Sequence, residues 1–248
     1  MNSQTIVSIV IPTLNEAAAL PRLLGALAGE AAVEIIVVDG GSSDGTPALA
    51  ASAGARIIAT PPCRGRQLAA GAALAQGDVL LFLHADSLFP EGGIAAIRRA
   101  LDGDPALVGG NFTLHFDGGT RFDAWLTGFY AWIRRHGLYY GDSGVFVRRD
   151  AYERLGGIRP LAVLEDYNFT RRLERFGRTC CIATPPLVTS SRRFAGRSPA
   201  AIVAGWLLIH LLYYLKAPDR VLAWVYDSTR RGQRAPAQRA ARPFSAQS

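Results

Sequence analysis

The sequence predicts an α/β fold built on a mostly parallel central sheet, and three observations lead there. Short apolar runs recur at 7–11, 35–38 and 79–83, the first two rich in β-branched residues, the pattern of strands buried on both faces. Segments with apolar residues at helical spacing separate them, as crossovers between parallel strands require. Each run then ends in polar or glycine-rich residues, at the carboxyl edge where an open α/β sheet binds its ligands.

The elements follow in order. Run 7–11 is a buried strand closed by Pro12. Asn15 and Glu16 open a helix that carries Leu20, Leu23, Leu24 and Leu27 on one face. A second strand at 35–38 gives way to the polar segment Asp39-Gly40-Gly41-Ser42-Ser43-Asp44-Gly45. A short helix at 46–53, a strand at 56–59, a helix at 65–75 and the strand at 79–83 complete the first part. Further on, a strand is expected at 108–114, an aromatic-rich helix at 122–135 and a strand at 144–148. Asp150 caps a short helix stopped by Gly156 and Gly157. A helix at 165–176 ends at Gly177, and a strand returns at 179–183. No internal repeat is visible.

From 199 to 215 the chain is almost entirely apolar, with His210 inside the run and Lys216 and Pro218 ending it. A bilayer span needs about 20 apolar residues, so residues 200–215 read as a helix packed on the domain or on a partner subunit. Shallow docking to a membrane is the second reading.

Composition removes several function classes. At 248 residues, 49% hydrophobic and 19% charged, the chain is not disordered. Three cysteines, Cys63, Cys180 and Cys181, make neither a disulfide framework nor a zinc site and favour a reducing, cytoplasmic setting. The N-terminus lacks a basic n-region and reads as a strand rather than a signal peptide. The net charge of +7 is concentrated: Arg230, Arg231, Arg234, Arg239 and Arg242 lie in a terminal segment without acids. The remainder is nearly neutral, so a nucleic-acid partner is not expected. The segment 230–248 reads as disordered, either a solubilising tail or a contact for anionic lipid.

Three strand ends carry chemistry and converge on one edge. Thr13 and Asn15 after the first strand are either an ordinary turn and cap or part of a site. Asp39, with Gly40 and Gly41 allowing close backbone approach, is either an Asx-capped turn or an acceptor for a base or ribose. Asp86, past the fourth strand, has no evident structural task and suits a hard cation bridging a diphosphate. Away from these, Glu165 and Asp166 are either acids favoured at a helix N-terminus or a general base facing a pocket. Arg192 and Arg193 are either phosphate ligands or surface arginines. Between 109 and 142, Trp125, Phe129, Tyr130, Trp132, Tyr139 and Tyr140 form either an acceptor platform or packing for the terminal helices.

The motifs SIVIPTLNE (8–16), VVDGGSSDGT (37–46) and GDVLLFLHAD (77–86), with an acidic pair before a helix, resemble those of the family 2 glycosyltransferases. The resemblance spans roughly residues 5–195. It implies a GT-A fold, Rossmann-like with helices on both faces of the sheet, over 1–195. Apolar helices at 196–229 and the basic tail at 230–248 would follow as a C-terminal extension. His84-Ala85-Asp86 in place of Asp-x-Asp, Gly141-Asp142-Ser143-Gly144 before a strand, and Ser190 to Phe194 look like a small stand-alone bacterial subgroup. Some of its members are named for their association with radical-enzyme and selenium-related proteins.

By that resemblance, Pro12, Thr13, Asn15, Glu16, Asp39, Gly41 and Ser43 hold the nucleotide with His84, Ala85 and Asp86, while Arg192 and Arg193 meet phosphates. Gly110, Gly141, Asp142 and Ser143 belong to the donor sugar or acceptor. Asp86, with His84 as a second candidate, binds Mn²⁺ or Mg²⁺. Asp166 is the base of an inverting transfer, with Glu165 beside it. The Ala-Arg-Asn usual before the fourth strand is absent: Leu68 and Ala69 stand there, and Arg66 is the candidate for the missing charge. The Gln-x-x-Arg-Trp of processive polymerising members is not found, so a single transfer is expected. The partners implied are a UDP-sugar or another nucleoside diphosphate sugar and an unidentified acceptor, with peripheral contact at the inner face of the cell membrane or a homodimer through 199–226. Two alternatives stand beside this reading. One is a nucleotidyltransferase, disfavoured because no Lys precedes Lys216; the other is a sugar-nucleotide-binding protein without catalysis.

Overall fold

A computed structural model describes residues 5–191, Phe194 and residues 196–230. They fall into two compact units, the first running to Ser191. Its elements in order are β1 (Val7–Thr13), α1 (Leu20–Leu27), β2 (Val33–Asp39), α2 (Thr46–Ser52), β3 (Arg56–Ala59), α3 (Arg64–Leu74), β4 (Val79–Phe82) and β5 (Ser87–Leu88). Then come α4 (Gly93–Gly103), β6 (Leu107–Phe116), α5 (Arg121–Arg135), β7 (Val145–Arg148), α6 (Arg149–Arg154), α7 (Glu165–Phe176) and β8 (Arg178–Thr189).

The strands form one sheet in the order β3-β2-β1-β4-β7-β6-β8-β5. β3, β2, β1 and β4 are parallel, with Val10 level with both Ile36 and Phe82. The order reverses between β1 and β4, which is where an α/β sheet opens a ligand crevice. Beyond β4 the sheet is mixed. β7 runs antiparallel to β4 with Val145 level with Phe82, so the chain just before β7 sits beside the carboxyl end of β4. That reversal places the 3-10 turn Gly141–Ser143 at the crevice.

Apolar residues of β1, β2 and β4, among them Val10, Ile36, Val38 and Phe82, pack under Leu68 and Ala72 of α3 and Phe169 and Leu173 of α7. Phe82 meets Phe169 edge to face, ring centres 6.0 Å apart, a geometry favoured by the ring quadrupoles.

Pro12 does not end its strand. Val10 bonds toward β4, accepting from Leu83, so Pro12, two residues on, faces the same side. β4 pairing stops at Phe82, and the missing N–H costs no ladder bond. The helix expected from Asn15 begins instead at Leu20, because Asn15 adopts φ +56°, which no right-handed helix contains. Asp150 lies inside α6, whose cap position is Arg148. α4 and the two-residue β5 are not among the expected elements, although Ile94, Ile97 and Leu101 do form a buried helical stripe. β8 runs to Thr189 because its far end pairs with β5 as well as β6.

The second unit contains α8 (Pro199–Tyr214) and α9 (Asp219–Arg230), which pack against each other. Phe194 meets Trp206 edge to face. No described helix is long and apolar enough to cross a membrane. Arg192, Arg193 and residues 231–248 of the basic tail lie outside the described residues.

Candidate active site

Two loops at the carboxyl edge are stitched together by side chains. Asn15 accepts from the Ser43 N–H at 2.8 Å while its own N–H donates to Ser42 Oγ at 2.8 Å. Asp44 accepts from the Ala17 N–H at 3.0 Å, and the Glu16 N–H donates to Thr46 Oγ1 at 2.9 Å. These bonds join residues 13–19 to residues 39–46 as one cradle. Asn15 therefore acts as a brace, with its carbonyl oxygen turned into the second loop. From below, the buried Gln67 of α3 donates to the carbonyls of Thr13 and Val38 at 2.9 and 2.8 Å, fixing the ends of β1 and β2.

Asp39 is the centre of that cradle. Its Oδ1 accepts from Thr13 Oγ1 at 3.1 Å and Ser42 Oγ at 2.5 Å, and its Oδ2 from the Gly41 and Ser42 N–H groups at 2.9 and 2.8 Å. Burial pushes its pKa up, but the bonds from Ser42, Gly41 and Thr13 outweigh it and hold the carboxyl below its ordinary value. A carboxylate has about four lone-pair positions, so the loop itself occupies Asp39. Pro12 and Glu16 are half-buried and Gly41 and Ser43 exposed at the rim.

The sign of that shift gives a stability prediction. A depressed folded pKa adds stability above the unfolded value of about 3.9, which is lost as pH falls through the folded value. Asp39→Asn should lower the melting temperature at neutral pH, since an amide cannot accept all four donors and each donor left unsatisfied costs about 1–3 kcal/mol. It should also flatten the acid loss of stability below about pH 4. Thermal unfolding between acidic and neutral pH checks both.

The second half of the edge centres on Arg64, the first residue of α3. Its Nε donates to Glu165, its Nη2 lies 3.3 Å from Asp166 Oδ2, and its Nη1 lies 3.5 Å from His84 Nε2. Asp166 Oδ2 also accepts from the Gly141 N–H at 2.9 Å, and its Oδ1 from the Tyr167 N–H at 2.7 Å. The fit around Gly141 is close: a Cβ there would lie 3.1 Å from Asp166 Oδ2 and 3.4 Å from His84 Nε2. Sequence positions 64, 84, 141 and 166 thus meet at one point.

The two acids differ. Burial raises both, but for Asp166 the Arg64 charge and the Gly141 and Tyr167 N–H groups win, and its pKa lies below the ordinary value. Glu165 is 1% exposed; burial dominates and, with the neighbouring Asp166 charge, outweighs Arg64, so its pKa is raised. Glu165 accordingly serves as the buried anchor of Arg64.

The other expected site residues have the following surroundings. Gly110 lies mid-strand in β6, level with Phe146 and Cys180, where a Cβ would fall 2.2 Å from the Cys180 carbonyl. The absence of a side chain permits the close strand packing there. Ser143 is buried and donates to the Tyr140 carbonyl at 2.6 Å, closing its own turn. Asp142 is buried and accepts from the Tyr130 hydroxyl at 3.1 Å. Ala85 is buried, whereas His84 and Asp86 are half-buried.

Arg66 is exposed, and the positive charge at the acids comes from Arg64. The sequence held two signals for what it missed. A cation in the first turn of a helix opposes the helix dipole, and Gln67 is a polar residue on the buried face of α3. The aromatic segment divides. Tyr139 is core, Tyr140 stacks on Tyr167 beside Asp166 with ring centres 5.7 Å apart, and Trp125 and Trp132 are exposed.

Among the described residues, no three His, Cys, Asp or Glu gather as a metal-ligating group, so a protein-built cage does not fit. Mg²⁺ and similar ions keep waters and bind through one or two carboxylates with substrate phosphates. Asp86, half-buried past the β4 end, with His84 two residues before it, fits that smaller donor set.

A family model described as glycosyl transferase family 2 matches residues 8–156, which takes in both cradle loops, Arg64, His84, Asp86 and Gly141. A Mycobacterium tuberculosis protein named as an uncharacterized glycosyltransferase is 33% identical over 105 residues, covering 42% of this chain and 47% of that protein. The match thus spans about half the length of that relative.

Among solved structures, a mannosyltransferase from Pyrobaculum calidifontis in complex with GDP-Man and Mn²⁺ has TM-score 0.62 and 19% identity, covering 98% of this chain and 77% of that one. Glucosyl-3-phosphoglycerate synthase from M. tuberculosis, with Mn²⁺, UDP and glucosyl-3-phosphoglycerate, has TM-score 0.60 and 19% identity over 86% and 81% of the two chains. S. aureus TarS in complex with UDP-GlcNAc has TM-score 0.61 and 14% identity over 75% and 58%. At these identities the likeness is one of fold, the GT-A fold expected from the motifs.

Proposed function

Because the chain belongs to glycosyl transferase family 2, we propose that it catalyses a single inverting transfer of a sugar from a nucleoside diphosphate sugar, a UDP-sugar by preference, to an acceptor hydroxyl. The observation that carries this reading is the meeting of Arg64, His84, Gly141 and Asp166 on the edge that also bears the Asp39 cradle. A carboxylate, a guanidinium and an imidazole lie together at the carboxyl edge of the sheet.

In this reading the cradle receives the nucleoside. Asp39 and Thr13 set its shape, and contact falls to Pro12, Glu16, Gly41 and Ser43 at the rim. Arg64 meets the diphosphate. Asp86 and His84 would hold a divalent ion there, whose chemistry is to neutralise charge on the leaving diphosphate. The acceptor oxygen attacks the anomeric carbon and passes its proton to Asp166 Oδ2. The bond from that carbon to the diphosphate breaks, and its electron pair leaves with the nucleoside diphosphate. A single displacement of this kind inverts the anomeric centre.

Arg64 links binding to chemistry. In the structure it lowers the basicity of Asp166, which suits a resting state better than a base. A diphosphate offers a guanidinium a charge-assisted bidentate partner. Drawn toward it, Arg64 relaxes its hold on Asp166, and the base strengthens when the donor is present.

Thermal unfolding with UDP, GDP and their sugars, with and without Mn²⁺, tests the reading. A ligand at a hundred times its dissociation constant adds about 2.7 kcal/mol, a rise of roughly 5–10 °C for a unit of this size. A UDP-linked rise together with slow release of UDP from a UDP-sugar is the expected result. No rise with any nucleotide would overturn the proposal.

A further inference from the structure

The second unit carries an exposed apolar surface that its own packing does not cover. α8 is apolar on all sides, yet only Ile202 and Ile209 on it are buried. Leu207, Leu211, Tyr214 and Leu215 are 67, 56, 62 and 68% exposed, and Trp224 on α9 is 64% exposed. A helix that is hydrophobic all round belongs in a core or in lipid, and exposed apolar patches on this scale mark interaction surfaces.

Charge says which partner. Up to Ser191 the chain has seventeen basic and eighteen acidic residues; after it, ten basic and two acidic. The positive charge of the protein therefore belongs to the unit with the apolar surface. Lys216 and Arg220 are exposed around the turn between α8 and α9, next to Tyr214 and Leu215, and residues 231–248 add four Arg and no acid. A second copy would bring like charge against like charge. A nucleic acid offers the opposite charge but nothing for the leucines.

An anionic bilayer surface satisfies both features: leucines and aromatics enter the headgroup–acyl boundary while Lys and Arg meet lipid phosphates. The sixteen residues of α8 span about 24 Å at 1.5 Å per residue, short of the roughly 30 Å hydrocarbon core, so the helix lies in the interface rather than crossing it. We infer that the α8–α9 unit is a peripheral docking element for anionic lipid membranes, with Leu207, Leu211, Tyr214, Leu215 and Trp224 as its inserting face.

Co-sedimentation of the full chain with vesicles tests this without reference to activity. One set contains phosphatidylcholine with a third phosphatidylglycerol, the other phosphatidylcholine alone. The chain should bind the anionic vesicles at least tenfold better, and high salt should remove that preference. The double variant Leu207→Glu with Leu211→Glu should lose binding to both while keeping its melting temperature, because both side chains are exposed. Binding that survives the double variant would reduce the contact to charge alone and overturn the inference, as would no binding to anionic vesicles. A stable dimer in solution that the same variant dissociates would assign the face to a second copy and equally overturn it.

Discussion

Asp166→Asn lowers the rate of sugar transfer by about 10²–10⁴-fold, the usual contribution of a positioned base, while the melting-temperature rise with UDP is kept. The asymmetry follows from the geometry. The single carbonyl oxygen of Asn can accept from Gly141 or from Tyr167 but not from both, so one of those bonds is lost while the cradle of residues 13–46 that receives the nucleoside is untouched. What it loses is the oxygen able to take a proton. Release of nucleotide from the donor, measured beside thermal unfolding, separates the two effects. Wild-type turnover in this variant would remove Asp166 from the role of base. Glu165→Gln is the contrast: Glu165 is buried under Arg64, so its loss disturbs Arg64 and not proton transfer directly, and a smaller fall in rate is expected.

Arg64→Gln carries the second large effect, and on two axes. Removing one partner of a buried ion pair costs about 3–5 kcal/mol because the other charge is left uncompensated. Arg64 is itself about a third exposed, so solvent screens part of this. Burial already raises the Glu165 pKa, so proton uptake in the variant limits the cost further. A loss near 3 kcal/mol, or a fall of roughly 6–12 °C, is expected.

The catalytic effect appears in the pH profile. Arg64 holds the Asp166 pKa below its ordinary value, so the wild-type acid limb of kcat/KM should lie below the usual carboxylate range. Without the guanidinium, burial prevails and the limb moves to higher pH. Arg64→Lys restores a charge but not the fork that reaches Glu165, His84 and Asp166 together, and it should recover stability more than rate. A limb that stays in place in Arg64→Gln would show that Arg64 does not govern the base.

Much of this was legible in the sequence, and the rest was not for definite reasons. β1, β2 and β4 are continuous apolar runs because both faces of the sheet are covered, and that pattern needs no tertiary information. The same holds for α7, whose bounds 165–176 coincide with its periodic segment and terminal Gly177. β5 is two residues long and exists only because β8 passes alongside, so no local pattern encodes it. The loop at Asn15 looks like a helix start by composition. Its left-handed backbone is chosen by bonds to Ser42 and Ser43, some 27 residues away in sequence.

The site divides along the same line. The kinds of residue at the strand ends, an Asp closing β2 and His-Ala-Asp after β4, were determined by the sequence alone, because a parallel sheet must bring those ends to one edge; the acidic pair at the start of α7 joins them only through tertiary packing. Which residues touch was decided by the tertiary structure. Arg64 rather than Arg66 reaches the acids, Gly110 serves the sheet while Gly141 serves the site, and Asp39 is spent on its own loop. Side-chain partnership depends on which turn of α3 faces α7 and on the reversal of β7 beside β4. Those are long-range packing outcomes that no spacing within a single segment carries.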